Sequence, residues 1–254
     1  MNGGHTGGQA LSQPAHWRFW GTVLWGTLIA VIFTVLQVFV FFVIVGLRNR
    51  GLSESDFGAA LESAVNDGTI ISVATFATTV VCCALIAGIV KLKKHSVLRD
   101  YLAIRPVARG TLLKWMIVLA CFLAASDLIT ILLGRPVVPD FMASAYATAN
   151  PVWLIWAAIV IAAPLFEETF FRGFLFRGFE SSFMRPAGAV VVTAALWAAI
   201  HIQYDLHDIL IIFVMGLLLG AARAHTGSLL LPLAMHSAGN LAATVEAALL
   251  SGAG

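Results

Sequence analysis

Residues 19–47 read FWGTVLWGTLIAVIFTVLQVFVFFVIVGL, a run of 29 residues without a charged side chain. A helix needs about 20 apolar residues to cross the hydrocarbon core of a bilayer. The run is longer than the apolar region of a secretory signal and lacks a convincing cleavage site, so we expect it to remain as a first membrane span. The segment before it, residues 1–18, has little apolar content and predicts a disordered cytoplasmic tail.

The whole chain shares this apolar character. Of its 254 residues, 60% are hydrophobic and 11% are charged, and the mean hydropathy is +0.93. A chain with so little polar surface cannot cover a water-soluble domain of this size, which indicates an integral membrane protein. The net charge of +2 gives no indication of nucleic-acid binding. The three cysteines lie in apolar runs, which is typical of packing residues and not of a disulfide framework: Cys82, Cys83 and Cys121.

Further apolar segments predict an all-α fold, a polytopic membrane helix bundle of about seven transmembrane helices. The later spans are expected at 68–90, 111–133, from 151 until at least the charged Glu167, and at 186–204, 209–222 and 228–250. Residues 51–67 have the spacing of a short amphipathic helix on the membrane surface, and 135–150 are expected to form a loop. The predicted organisation is the tail (1–18), three spans with their loops (19–150) and a core of later spans (151–250).

The basic residues are distributed unevenly between the two sides of such a bundle. Seven crossings place twelve of the 15 lysines and arginines on the side of the N-terminus and leave Arg48, Arg50 and Arg135 on the other. Because cytoplasmic loops carry the excess of positive charge, we expect a cytoplasmic N-terminus and a C-terminus across the membrane.

Two adjacent carboxylates and an arginine interrupt the fourth apolar segment, which reads PLFEETFFR from Pro164 to Arg172. Charged groups inside a membrane are costly, so they indicate a functional site or a paired structural one. Glu168 and Arg172 are four residues apart on one helical face, and this spacing predicts a salt bridge between them. Glu167 points in another direction and remains free for chemistry.

Two later spans contribute the other polar candidates. His201 follows Trp197 by four residues in an otherwise apolar helix, and Asn240 follows His236 by four residues, so that these last two share a helical face. A single buried histidine is usually a packing residue. Together, however, a carboxylate, two imidazoles and a carboxamide are the groups needed to activate a water molecule and to stabilise an oxyanion.

Other polar residues have less specific interpretations. Asp127 in the third span either lines a cavity or hydrogen-bonds a neighbouring helix, and the structural role is the more common one. The group Asp205, His207 and Asp208 is expected near the far interface, where it could line the same wet cavity; a metal cluster is the less favoured interpretation. Gly216 and Gly220 could support close helix packing within the protein or between copies, and the oligomeric state is not readable from the sequence.

At this point the chain resembles the CPBP intramembrane proteases, a family that includes CAAX prenyl endopeptidases and bacterial bacteriocin-processing and Abi-like immunity proteins. Residues 167–172 are similar to its EExxxR motif, 197–201 to its FxxxH motif with tryptophan in place of phenylalanine, and 236–240 to its HxxxN motif. The resemblance covers roughly residues 152–250. It implies that this part is a catalytic membrane core and that the protein is a multi-pass protein of the bacterial inner membrane.

The resemblance also implies a role for each matching residue. Glu167 corresponds to the glutamate that activates water, with His201 as its partner, while His236 and Asn240 correspond to the pair that holds the water or the developing oxyanion. The resemblance leaves the cofactor open: either none is required or a divalent metal such as zinc is bound. Glu167, His201 and His236 would be a legitimate zinc set with one open position, but Asn240 is a poor zinc ligand.

Two functions from different classes follow as hypotheses. One is an endopeptidase that cleaves a membrane-associated peptide or protein. The other is a non-catalytic membrane scaffold or chaperone of the same fold, whose polar cluster only fixes the packing of helices. A transporter is less favoured, because no internal repeat is visible. The substrate, including whether it is prenylated, is not readable from the sequence.

Overall fold

The structure is a computed structural model that describes residues 16–51 and 53–250. The predicted disordered tail therefore lies mostly outside the described residues. Ten helices follow one another along the described chain: α1 (Phe19–Arg48), α2 (Glu54–Ala64), α3 (Gly68–Leu92), α4 (Leu98–Tyr101), α5 (Arg109–Leu132), α6 (Asp140–Thr148), α7 (Val152–Glu180), α8 (Arg185–Ala199), α9 (Leu206–Thr226) and α10 (Leu230–Leu250).

The all-α class is confirmed, since the described residues form helices and no strand. Five of these helices are long and apolar enough to cross a membrane, namely α1, α3, α5, α7 and α9. The sequence predicts about seven spans, whereas five of the described helices meet the conditions of both length and apolar composition. Helix α8 has only 15 residues and a length of about 22 Å, which is short for a hydrocarbon core of about 30 Å. Helix α10 is long enough, with 21 residues, but it carries His236, Asn240 and Glu246.

The boundaries of the later helices differ from those predicted. The expected span at 186–204 ends at Ala199, and the expected short span at 209–222 extends to the 21 residues of α9. The extension has a local cause, because the side chain of Asp205 caps the start of α9 and Gly227 ends it in the left-handed conformation. The expected loop at 135–150 contains α6, whose Thr148 accepts a hydrogen bond from the backbone N–H of Gly68 at the start of α3. The predicted amphipathic helix is present as α2.

Helix α7 runs through the centre of the bundle and contributes two aromatic side chains that are 0% exposed, Phe174 and Phe176. It is not a regular α-helix, because it contains two π-helical stretches, at Ala158–Ala162 and Thr169–Leu175. Pro164 lies just after the first stretch and has no backbone N–H to offer the preceding turn. Such π-helical turns release carbonyl groups from the helix and are frequent at functional sites.

Helices α8 and α9 pack closely against each other and beside α7. A Cβ atom added at Gly216 would lie 3.0 Å from the Cβ atom of Ala194, and one added at Gly220 would lie 3.1 Å from Val190. Both glycines therefore face α8 within the same chain. Of the two roles left open by the sequence, the structure shows close packing within the protein.

Candidate active site

The centre of the site is a buried ion pair on α7. The guanidinium Nη1 of Arg172 lies 2.8 Å from Oε1 of Glu168, and both side chains are 0% exposed. Arg172 also donates through Nη2 to the carbonyl of Gly216 on α9, at 3.3 Å. The pair has the spacing that the sequence predicted, and it attaches α7 to α9.

His236 on α10 joins this pair. Its Nδ1 lies 2.9 Å from Oε1 of Glu168, and because a carboxylate oxygen accepts, Nδ1 carries the proton and donates. The other ring nitrogen, Nε2, lies 3.9 Å from Oε2 of Glu167. Oε1 of Glu168 thus accepts hydrogen bonds from both Arg172 and His236. The contact with His236 joins two helices, so the helical spacing in the sequence could not reveal it.

Glu167 is the less buried of the two carboxylates, with 17% of its side chain exposed. Its Oε2 accepts a hydrogen bond of 2.5 Å from the indole Nε1 of Trp197. From the sequence, Trp197 is only the aromatic residue of a motif, and this contact is not predicted. The signal was present in the sequence, since the phenylalanine that the motif prescribes has no N–H group.

His201 does not lie inside a helix, contrary to the expectation. Helix α8 ends at Ala199, and the His201 side chain returns to its last turn, where Nδ1 lies 2.7 Å from the carbonyl of Trp197. The carbonyl can only accept, so Nδ1 is the protonated nitrogen and Nε2 is left with a free lone pair. The reason for the difference is that the last carbonyls of a helix lack intrahelical partners, and His201 satisfies one of them.

Asn240 lies one helical turn after His236 and donates from Nδ2 to the carbonyl of Ile159, at 2.8 Å. Ile159 belongs to the first π-helical stretch of α7, where carbonyl groups are available to partners outside the helix. This bond connects α10 to α7. It uses one of the two N–H groups of the carboxamide and leaves the other N–H and the oxygen unassigned.

These four residues line one cavity with a volume of about 700 Å³. Helices α1, α3, α5, α7, α9 and α10 contribute to its wall, together with the segment 197–204 at the end of α8 and the turn after it. The structure therefore brings the predicted site residues to one cavity: Glu167, His201, His236 and Asn240. Tyr204, which is not among the predicted site residues, also lines this cavity.

The remaining acidic candidates divide into separate roles. The candidates Asp127 and Asp208 line the cavity, as does Glu246, which the sequence did not single out. Asp205 instead forms an ion pair with Arg135 and caps α9 through the backbone N–H groups of residues 207 and 208. His207 contacts the Thr130 hydroxyl of α5 at 2.9 Å. Asp205, His207 and Asp208 thus form no group that could hold a metal ion.

The donor set does not fit a metal ion. Within residues 16–51 and 53–250, no group of three or more His, Cys, Asp and Glu side chains could hold one. Glu167, His201 and His236, the zinc ligands considered from the sequence, therefore do not form such a group.

Residues 149–242 match a family model described as type II CAAX prenyl endopeptidase Rce1-like. This part of the chain is similar to that family. The four predicted site residues that line the cavity all fall within this Rce1-like segment, 149–242. Helices α1, α3 and α5 precede the segment.

A protein of Escherichia coli described as "Uncharacterized 24.3 kDa protein" is 36% identical over 108 residues, which are 41% of this chain and 49% of the relative. The chain thus spans about half the length of that relative. No solved structure matches the chain.

Proposed function

We propose that the protein is an intramembrane endopeptidase that hydrolyses a peptide bond of a membrane-associated peptide or protein. The observation that carries the proposal is the convergence of Glu167, His201, His236 and Asn240 on one cavity. The Rce1-like segment supports the same reaction class. The cavity also has the size range of protein sites that hold small ligands, and it could accept a short extended stretch of a substrate.

The reaction follows from the protons that these groups carry. Glu167 accepts a proton from water while the water oxygen attacks the scissile carbonyl, and the free Nε2 of His201 accepts a hydrogen bond from the same water. The tetrahedral intermediate places its negative charge on the former carbonyl oxygen. The unassigned N–H of Asn240 and, in doubly protonated His236, Nε2–H donate to that oxygen. The proton on Glu167 then passes to the leaving amine as the C–N bond breaks, which gives a carboxylic acid and an amine; the acid then transfers its proton to the amine.

We propose that this reaction needs no metal, because the described His, Cys, Asp and Glu side chains form no group of three that could hold one. Glu168 and Arg172 do not touch the reacting atoms in this scheme. They hold His236 in place and connect three helices. The alternative function, a scaffold, is favoured by this same buried contact of α7, α9 and α10, which would serve packing whether or not the cavity is catalytic.

The experiment is cleavage of a library of membrane-associated peptides, with and without a prenyl group, by the purified protein in lipid vesicles. Glu167→Gln and His201→Ala are each expected to lower cleavage at least about a hundredfold, since general-base catalysis contributes factors of this size. Glu54→Gln is the matched control, because Glu54 lies on the exposed surface helix α2. A chelator is expected to leave the rate unchanged.

Each outcome has a different meaning. Cleavage that a chelator abolishes and zinc restores would contradict the metal-free scheme. Folded wild-type protein that cleaves no peptide, in every lipid and with every peptide class, would favour the scaffold. Equal loss of folded protein in Glu167→Gln, His201→Ala and Arg172→Ala would point in the same direction.

A further inference from the structure

Trp197 occupies a central position in the site, although the proposed chemistry does not use it. It is 3% exposed and lies two residues before the end of α8. Its ring contacts His201 and His236 edge to face, with centroids 5.2 and 5.1 Å apart. The guanidinium carbon of Arg172 lies 4.6 Å from the centroid of the ring, within the range of a cation–π contact.

The indole N–H is the one hydrogen-bond donor that the described residues offer to Glu167. It donates to Oε2, and the other partner of the carboxylate, His236, lies at 3.9 Å and beyond hydrogen-bond distance. A glutamate with 17% of its side chain exposed to the cavity has several accessible rotamers. A donor on one oxygen restricts this freedom and leaves Oε1 to accept from water.

The indole is itself held firmly. A Cβ atom added at Gly216 would lie 3.1 Å from Cε3 of Trp197, so the ring packs directly against the backbone of α9. The carbonyl of the same glycine accepts from Arg172. The buried ion pair, the glycine and the indole are therefore in mutual contact.

We propose that Trp197 is a positioning residue that holds Oε2 of Glu167 through its indole N–H and thereby aims the carboxylate at the attacking water. This inference rests on the proposed function for its consequence in catalysis, but not for the hydrogen bond itself. A phenylalanine at this position could place a smaller aromatic ring between the histidines but could not donate.

The first test distinguishes the effect of losing the N–H donor from the effect of changing the shape of the ring. Trp197→Phe, and replacement of Trp197 by benzothienylalanine, which has sulfur in place of the indole N–H, are expected to lower kcat about ten- to a hundredfold. In the benzothienylalanine protein, KM and the melting temperature are expected to change little, because the bicyclic ring and its contacts remain. Trp153→Phe is the control, since Trp153 is 63% exposed on α7. An unchanged kcat in the benzothienylalanine protein would overturn the proposal.

The second test needs no activity. In a spectrum of protein with ¹⁵N-labelled indoles, the Trp197 signal is assigned by its absence in Trp197→Phe. We expect this signal to move in Glu167→Ala and to stay in Glu54→Gln. A Trp197 signal that does not respond to Glu167→Ala would overturn the hydrogen bond, and with it the proposal. Absence of cleavage by wild-type protein would instead contradict the proposed function, and the spectrum would still decide whether the indole holds Glu167.

Discussion

Glu168 and Arg172 show how a membrane protein can carry two fully buried charges. Removing them from water costs several kcal/mol each, and close contacts must return most of that cost. Here Glu168 faces Arg172 and His236, while Arg172 also donates to the Gly216 carbonyl and lies over the ring of Trp197. The Nε atom of Arg172 and the Oε2 atom of Glu168 have no hydrogen-bond partner among the described residues. The stability of the buried pair therefore depends on these few contacts.

The first prediction concerns the loss of one member of this pair. Arg172→Ala leaves Glu168 as a buried charge without its cation, and we expect the free energy of unfolding to fall by about 3–5 kcal/mol. Arg48→Ala breaks an ion pair of similar length, 2.9 Å to Asp67, but its side chains are 44% and 22% exposed, so the expected loss is at most about 1 kcal/mol. Unfolding in mixed detergent measures both. Similar losses in the two variants would contradict the importance of burial.

Asp205 supports a second prediction, on the pH dependence of the start of α9. The backbone N–H of Asp208 lowers the pKa of this carboxyl, and Arg135 and the N–H of His207 act in the same direction, while desolvation opposes them. A folded-state pKa below the ordinary value of 3.8 means that the carboxylate stabilises the fold above that value. This contribution is lost as the pH falls through the lowered pKa.

The measurement compares wild-type protein with Asp205→Asn. The wild-type protein is expected to be the more stable of the two at neutral pH, and the difference is expected to shrink as the pH falls below about 4. Amide hydrogen exchange of residues 206–209 reports the same loss locally, because these are the first residues of α9. A stability difference that is constant down to pH 2 would contradict an ionised cap.

At the scale of helices, close approach depends on residues without a side chain. Gly178 on α7 faces Thr22 on α1 so closely that an added Cβ atom would lie 1.8 Å from the threonine Oγ1. Thr22 is 0% exposed and has no room to move aside. This contact sets the distance between the first span and the central helix, as small residues do at many membrane helix interfaces.

The third prediction is that Gly178→Ala separates these helices and lowers the free energy of unfolding by about 1–3 kcal/mol, as overpacking does in other cores. Gly88→Ala is the matched control on α3, because an added Cβ atom there meets nothing within 4 Å. Alanine is the better helix former, so Gly88→Ala is expected to be neutral or slightly stabilising. Equal effects of the two substitutions would contradict the role of close packing.

The whole molecule has the surface of a membrane protein. Helices α1 and α5 bury only 11% and 17% of their most apolar windows inside the protein, and their outward side chains include Leu24, Val35, Phe39, Leu128 and Leu132. Apolar surface of this extent needs lipid or a partner to cover it. We propose that the bilayer covers it, which agrees with spans of sufficient length.

The fourth prediction concerns orientation in the membrane. The excess of lysine and arginine on one side predicts a cytoplasmic N-terminus. Five crossings by α1, α3, α5, α7 and α9, or seven if α8 and α10 also cross, place the C-terminus on the opposite side. Reporter domains fused to either end, each active on one side of the membrane only, measure this. Signals from both termini on one side would mean that only one of α8 and α10 crosses.

The sequence by itself determined the class of the protein and the identity of its polar residues. Long charge-free runs are sufficient to predict membrane helices, because the thickness of the bilayer fixes the length that a span needs. The contact of Glu168 with Arg172 was also predictable, since a spacing of four residues places two side chains on one helical face. Such local periodicity says nothing of the distance between two helices.

Only the tertiary structure decided which groups meet across helices. It placed His236 on Glu168, the indole of Trp197 on Glu167 and Asn240 on the carbonyl of Ile159. It also ended α8 before His201 and directed Gly216 toward the same chain. These contacts depend on the rotation and separation of packed helices, and on π-helical turns that shift the register of α7. The arrangement of the helices and the π-helical turns both arise from the summed packing of many side chains, which no short motif encodes.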